Sequence, residues 1–290
     1  MPVLFERAPA KINLTLRIVR RRDDGFHELE SLVCFSAAGD LLTFEPGGEL
    51  SLSTDGPYAQ DCGPAESNLV VKAAQQLAAH VPGLASGRFR LSKNLPAAAG
   101  IGGGSSDAAA ALRLLARANG LLPDDARVEE AARATGSDVP VCLAARGRMM
   151  RGTGGVLGPL LKLPPLFAVL VNPRVPLETK AVFARLGLAP GEDYAFAPHP
   201  AVTDAMPLPA LLALAAKTGN DLEDPASVLE SRIVDVLSVL GAARGCRLAR
   251  MSGSGATCFG LFETRTGASR AAAAIRRDRP GWWVKACILR

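Results

Sequence analysis

The sequence predicts an α+β fold in two domains. The chain has 290 residues, and at about 150 residues per domain this length is enough for two hydrophobic cores. Hydrophobic residues make up 48% of it and charged residues 21%, a composition typical of globular domains rather than of disordered or fibrous chains. The glycine-rich residues 152–158 and the pair Pro164-Pro165 indicate a boundary. We therefore expect an N-terminal domain over residues 1–158 and a C-terminal domain over residues 159–290.

The N-terminal part begins with a pattern of period two. Over residues 10–18 apolar and polar residues alternate, which predicts a strand that is buried on one face and carries Lys11 and Asn13 on the other. The turn at Asp24-Gly25 separates it from a second strand over residues 26–35. The patterns that follow predict strands over 41–44, 50–53 and 88–91 and helices over 68–80, 106–119 and 125–134.

The C-terminal part follows the order strand, helix, strand, strand, helix, strand, which is typical of a ferredoxin-like sandwich. The predicted strands cover 166–171, 247–251, 257–262 and 283–288, and the predicted helices cover 177–186, 228–243 and 268–277. Since this order needs only one helix between the first two strands, we expect the helix over 228–243 and residues 190–225 to be insertions.

Charge and cysteine usage argue against several function classes. The net charge of +5 is mild, and only 5% of the residues are aromatic, so the stacking surface of a single-strand nucleic-acid platform is missing and we expect no nucleic-acid partner. The six cysteines and three histidines show no zinc-ligand spacing. No secretory leader and no apolar run of about 20 residues is visible, so we expect a cytoplasmic protein with reduced thiols and no membrane contact.

The most informative segment is the glycine-rich stretch from Leu95 to Asp107. Glycines expose backbone N–H groups, and the start of the following helix adds unpaired N–H donors and the positive end of its dipole. Together they predict a phosphate-binding loop, in which Ser105 and Ser106 could bond phosphate or Mg²⁺. The alternative is a flexible loop whose Ser106 or Asp107 only caps the helix. The spacings of the P-loop and of the Rossmann fingerprint are both absent.

Three other features have structural as well as functional interpretations. Asp138 stands just before Val139-Pro140, where propensity alone favours a helix N-cap over a catalytic role. Lys11 is unusual within a strand, although an exposed edge strand explains it equally well. The loop from Met251 to Thr257 is either a hairpin turn or a second set of N–H donors that faces the first loop.

Taken together, these motifs resemble the GHMP kinase superfamily of small-molecule kinases. The resemblance extends in order from residue 8 to beyond residue 260, and the segments that carry it are Ala8–Leu14, Asp24–Leu29, Pro96–Ser106, Gly136–Pro140, Asn220–Glu223 and Met251–Thr257. The resemblance implies a ribosomal-S5-like N-terminal domain that binds ATP and a ferredoxin-like C-terminal domain. Two departures are Ala97-Ala98-Ala99, where glycine or methionine is usual, and Phe26, where tyrosine is common.

The resemblance also implies residue roles. It makes Asp138 the catalytic base and Lys11 its cationic partner. The residues implied to bind ATP are Pro96, Ala97, Ala98, Ala99, Gly100, Ile101, Gly102, Gly103, Gly104, Ser105 and Ser106. Those implied to bind the acceptor are Asn13, Phe26, His27, Thr179 and Phe183. Those of the second glycine loop are Ser252, Gly253, Ser254 and Gly255.

Within the superfamily, the motifs are most similar to members that phosphorylate the 2-hydroxyl of 4-diphosphocytidyl-2-C-methyl-D-erythritol, on the non-mevalonate route to isoprenoids. This implies ATP as co-substrate, Mg²⁺, and a small-molecule partner with a cytidine diphosphate moiety; no oligomeric state is implied. One alternative is a GHMP kinase for mevalonate, homoserine or a sugar, which would not need the cytosine contacts of Phe26 and His27. Another is an RNA-binding module, against which the low aromatic content argues.

Overall fold

The computed structural model describes residues 2–122, 124–194 and 198–290 and confirms the α+β class. Its strands are β1 (Leu4–Asn13), β2 (Arg17–Arg21), β3 (His27–Pro46), β4 (Ser51–Asp55), β5 (Gly87–Ser92), β6 (Arg148–Gly152), β7 (Val156–Leu160), β8 (Leu166–Asn172), β9 (Cys246–Met251), β10 (Cys258–Phe262) and β11 (Trp283–Leu289). Its α-helices are α1 (Leu69–His80), α2 (Gly103–Ala118), α3 (Ala126–Thr135), α4 (Val139–Ala144), α5 (Thr179–Ala184), α6 (Leu208–Thr218), α7 (Glu223–Leu229), α8 (Arg232–Ala242) and α9 (Arg265–Asp278). Within the described ranges, no helix is long and apolar enough to cross a membrane.

The chain forms two compact units, each assembled from separate segments. The first unit comprises Met1–Lys11, Gly39–Ala97 and Gly102–Ala145. The second comprises Ile12–Ala38, Ala98–Ile101 and Arg146–Arg290. The glycine-rich residues 152–158 lie in the antiparallel pair of β6 and β7. The division into domains over residues 1–158 and 159–290 stays a prediction.

The first unit places helices beside a small sheet. Strand β5 pairs in parallel with β4 and antiparallel with the end of β3. Asn68 caps α1 by accepting the Val70 N–H at 3.0 Å, and the apolar face of α1 packs on α2. Residues 108–111 of α2 are fully buried, and their small alanine side chains let the helix approach its neighbours closely. The start of α2 is thereby held firmly, which matters for the loop that precedes it.

The second unit contains the predicted ferredoxin-like order. Strands β11, β8, β10 and β9 are neighbours in that order, and every pair is antiparallel. Helix α8 packs on β9 and β10, and α9 packs on β8 and β11. The expectation that residues 228–243 form an insertion was therefore wrong: α8 is the helix that covers the sheet. Of the other expected insertion, residues 195–197 lie outside the described residues.

The strand predicted over residues 10–18 is two strands. Strand β1 ends at Asn13 and β2 begins at Arg17; between them, the N–H of Leu14 donates to Leu32 O and that of Leu16 donates to Gly219 O. The predicted polar face is also buried, since Lys11 and Asn13 are only 4% and 2% exposed. Conversely, the strands predicted over 26–35 and 41–44 are parts of the single strand β3.

Candidate active site

Lys11 and Asp138 form an ion pair in the first unit. Lys11 Nζ donates to Asp138 Oδ2 at 2.7 Å, with the lysine side chain 5% exposed and that of the aspartate 33%. Asp138 occupies the N-cap position of α4, yet its side chain makes no capping hydrogen bond. The interpretation of Asp138 as a structural cap was therefore wrong, as was that of Lys11 as an exposed edge residue. A buried ammonium donates to a carboxylate that solvent reaches, so the carboxylate is available to a ligand.

Neighbouring side chains fix the two ends of the segment that carries Asp138. Lys72 of α1 donates to Thr135 O at 2.8 Å, just before the segment. Arg113 of α2 donates to the carbonyls of Cys142 and Leu143 at 2.9 and 3.1 Å, at the other end of α4. Burial raises the pKa of Cys142 to about 12, so this nearby thiol stays protonated and is no nucleophile.

The predicted phosphate-binding loop runs directly into α2, which begins three residues earlier than predicted. Gly102 precedes the helix with φ +60°, and a Cβ there would lie 3.2 Å from Lys11 Cβ. A glycine at this position therefore lets α2 begin against the Lys11 side chain. The first N–H groups of α2 have no partner within the helix and can bind an anion. Ser106 is not free for this task, because its hydroxyl is buried and donates to Pro9 O.

The middle of the same loop packs on the second glycine loop, within the second unit. Thr257 N–H donates to Ala99 O at 3.2 Å, and the Ser252 hydroxyl donates to Gly100 O at 3.2 Å. Gly100 has φ +71°, and a Cβ there would lie 2.4 Å from Gly255 O. The two loops thus lie against each other. The second loop, however, uses its Thr257 N–H to support the first loop, so this donor is not available to a phosphate.

Asn13 has one defined orientation in the second unit. Its Nδ2 donates to Ser31 Oγ at 2.7 Å, and the Ser31 hydroxyl donates to Thr15 O at 2.6 Å. Because a carbonyl can only accept, the Ser31 oxygen must accept from the amide nitrogen of Asn13. The Asn13 Oδ1 consequently points the other way, to within 3.3 Å of the position of a Cβ on Gly253. Asn13 therefore presents an acceptor at the second glycine loop.

The other residues predicted to bind the acceptor substrate also lie in the second unit. The rings of His27 and Phe183 are in contact, with centroids 4.8 Å apart and planes tilted by 40°. Burial and the Arg21 charge lower the pKa of His27 below its ordinary value, so its imidazole is neutral near pH 7. Thr179 Oγ1 lies 2.9 Å from Ser254 Oγ. Phe26 is 65% exposed at the turn before β3, a position that leaves its ring free to contact a ligand.

Two residues that hold the loops, Asn220 and Lys93, were not predicted from the sequence. Asn220 donates from Nδ2 to the carbonyls of Met251 and Gly253, both at 2.9 Å, and so fixes the second loop. The only sequence signal for Asn220 was its place in Asn220–Glu223, one of the segments that carry the family resemblance. Lys93, which precedes the predicted phosphate-binding loop, is buried between two carboxylates. The scarcity of lysine in the chain was the only signal for that residue.

Comparison with known proteins places the chain among kinases. The family described as "GHMP kinases N terminal domain" matches residues 68–146, and the one described as "GHMP kinases C terminal" matches residues 199–280. A 4-diphosphocytidyl-2-C-methyl-D-erythritol kinase from Methylobacterium radiotolerans is 57% identical over 100% of both chains. The chain belongs to the GHMP kinase family. A protein of the same name from Rhodopseudomonas palustris is 55% identical over 100% of both chains.

Solved structures agree with this GHMP kinase membership. A crystal structure of 4-(cytidine 5'-diphospho)-2C-methyl-D-erythritol kinase superposes with a TM-score of 0.77 at 35% identity, covering 99% of each chain. A homoserine kinase from Cytophaga hutchinsonii gives a TM-score of 0.69 at 18% identity, covering 99% of this chain and 94% of its own. The second likeness shows the fold alone. The two-domain GHMP kinase fold expected from the sequence is confirmed.

Proposed function

We propose that this GHMP kinase transfers the γ-phosphoryl group of ATP to the 2-hydroxyl of 4-diphosphocytidyl-2-C-methyl-D-erythritol, a step in isoprenoid synthesis by the non-mevalonate route. The observation that carries the chemistry is the pair of Lys11 and Asp138, a carboxylate open to solvent that a buried ammonium holds at 2.7 Å. The choice of acceptor is supported by relatives of that name, which are 54–57% identical over nearly the whole chain.

Asp138 acts as the general base. The acceptor hydroxyl is on a carbon that also carries a methyl group, so it is a hindered tertiary alcohol and a weak nucleophile. Lys11 Nζ donates a hydrogen bond to Asp138 Oδ2. The other carboxylate oxygen is left to accept the proton of the acceptor hydroxyl as the hydroxyl oxygen attacks phosphorus. The ammonium keeps the carboxylate oriented and stabilises the charge of the transferring phosphoryl group.

The backbone at the start of α2 binds the donor. The N–H groups of Gly103, Gly104 and Ser105 have no partner within the helix, and they bind phosphate oxygens of ATP. No group of three or more His, Cys, Asp or Glu side chains that could hold a metal exists in the described part of the chain. That fits Mg²⁺, which commonly binds through substrate phosphates and one or two protein ligands. The Ser105 hydroxyl would supply such a ligand, and Mg²⁺ would neutralise negative charge on the triphosphate.

The acceptor's cytosine binds to the second unit. Neutral His27 offers one ring N–H donor and one ring nitrogen acceptor, which match the mixed polar edge of cytosine. Phe183 and Phe26 provide ring faces for stacking. Asn13 Oδ1 accepts from a donor of the acceptor molecule. Such an acceptor and ATP are both cytoplasmic metabolites, and we place the reaction in the cytoplasm.

An ADP-release assay tests this function. The purified protein is given ATP, Mg²⁺ and, in separate reactions, the cytidyl acceptor, mevalonate, homoserine and galactose. We expect turnover with the cytidyl acceptor and none above background with the other three. Turnover with one of the others and none with the cytidyl acceptor would overturn the assignment. Asp138→Asn, assayed in parallel, controls for a contaminating kinase, because its activity should be lost with every acceptor.

A further inference from the structure

We propose that Asp40, Lys93 and Asp107 are positioning residues for ATP: their buried cluster ties the residues before the phosphate-binding loop to the helix that follows it. This inference rests on the proposed function, because it takes the loop over residues 96–106 to be the ATP-binding loop. All three side chains belong to the first unit, and each is at least 95% buried.

Asp40 holds the entry to the loop. Its Oδ1 accepts the N–H of Asn94 at 2.5 Å and that of Leu95 at 2.8 Å. These are the two residues before Pro96, where the loop begins. Its Oδ2 accepts from Lys93 Nζ at 2.5 Å. One carboxylate therefore fixes the backbone that enters the loop and connects it to the ammonium.

Asp107 holds the exit. It is the fifth residue of α2, and its Oδ2 accepts from the same Lys93 Nζ at 2.6 Å. The first residue of that helix, Gly103, lies close over the ammonium, since a Cβ there would be 3.2 Å from Lys93 Nζ. A single ammonium thus sets the position of the first turn of α2 relative to the backbone before the loop.

The charges of the cluster indicate a role beyond stability. Two carboxylates share one ammonium, and Asp107 Oδ1 has no hydrogen-bond partner among the described residues. Burial, and the neighbouring Asp40 carboxylate, raise the pKa of Asp107, which shows how costly its charge is there. An apolar core at this place would generally be at least as stable. The cluster instead provides fixed geometry, and phosphoryl transfer depends on the position of the groups that bind the triphosphate.

The variant Asp107→Ala tests the positioning role. It leaves Lys93 and Asp40 as a balanced pair, and alanine is the best helix former, so the fold and α2 are expected to persist. We expect the Kd of a non-hydrolysable ATP analogue and the KM for ATP to rise about ten- to a hundredfold. The Kd for CDP should stay unchanged, and kcat at saturating ATP should change far less than KM. Asp107→Asn, which keeps an oxygen for Lys93, should recover most of the ATP affinity.

Ala116→Gly is the matched control, because it weakens the same helix near its other end without touching the cluster. The proposal is overturned if Asp107→Ala binds the ATP analogue as the control does, or if it loses ATP and CDP affinity equally. It is also overturned if Asp107→Asn is as impaired as Asp107→Ala. Calorimetry with the analogue needs no acceptor, so it decides about the cluster even if the wild-type protein fails to phosphorylate the cytidyl acceptor.

Discussion

The substitution Asp138→Asn should nearly abolish turnover because of the way Lys11 orients the new side chain. The Lys11 ammonium only donates, and it contacts Asp138 Oδ2 at 2.7 Å. In the variant it selects the amide oxygen, which places the amide nitrogen where the second carboxylate oxygen was. The acceptor hydroxyl then meets a donor instead of a base. Loss of a general base typically costs ~10²–10⁴ in rate, or about 3–5 kcal/mol of transition-state stabilisation.

Steady-state ADP release measures kcat, and calorimetry with a non-hydrolysable ATP analogue measures donor affinity, which should stay within a few-fold. Lys11→Met should also lower kcat, because the carboxylate loses its orienting partner. The double variant should lose less than the product of the two single effects, since residues that act as a unit are not additive. A near-normal kcat for Asp138→Asn, or losses that multiply fully, would refute the mechanism.

Three further predictions concern the second unit. Phe183→Ala and His27→Ala should each weaken CDP binding by about 1–3 kcal/mol and spare the ATP analogue in calorimetry; because the two rings touch, the double variant should lose less than the sum. Ser31→Ala should raise the KM for the cytidyl acceptor about tenfold, with the KM for ATP unchanged, because the Asn13 amide loses the partner that orients it; equal effects on both substrates would contradict this role. Burial lowers the pKa of His199 below 6.5, so the unfolded chain binds its proton more readily. The free energy of unfolding should therefore decline as pH falls from about 6.5 through the folded-state pKa. Chemical denaturation should show a shallower decline for His199→Gln, and an unchanged pH dependence would count against it.

Local patterns predicted most of the elements but not the partners of their polar residues. Period two and helical spacing located many strands and helices of both units, but β6, β7, α6 and α7 were not predicted. Asp138 looked like a cap because cap preference is local. The residue that it contacts, Lys11, is 127 positions away in the sequence. Local residue preferences carry no information about a contact over that separation.

The same limit applies to the loops. The glycine pattern predicted a phosphate-binding loop, and the roles of its residues stay predictions. The requirement for glycine at position 100 comes from the carbonyl of Gly255 in a distant hairpin. Helix α2 begins at Gly103 although glycine disfavours helices, and its fifth residue, Asp107, accepts a hydrogen bond from Lys93 outside the helix. Local preference contains neither of these tertiary contacts.

The position of the transferred phosphate tests the proposed reaction most directly. In the cytidyl acceptor, C2 carries a methyl group and no hydrogen, whereas C1 and C3 carry hydrogens next to their hydroxyls. A proton-coupled phosphorus spectrum of the product should therefore contain a new phosphomonoester signal without splitting. A new triplet would place the phosphate on C1 and a new doublet would place it on C3. Either pattern would contradict phosphorylation of the 2-hydroxyl.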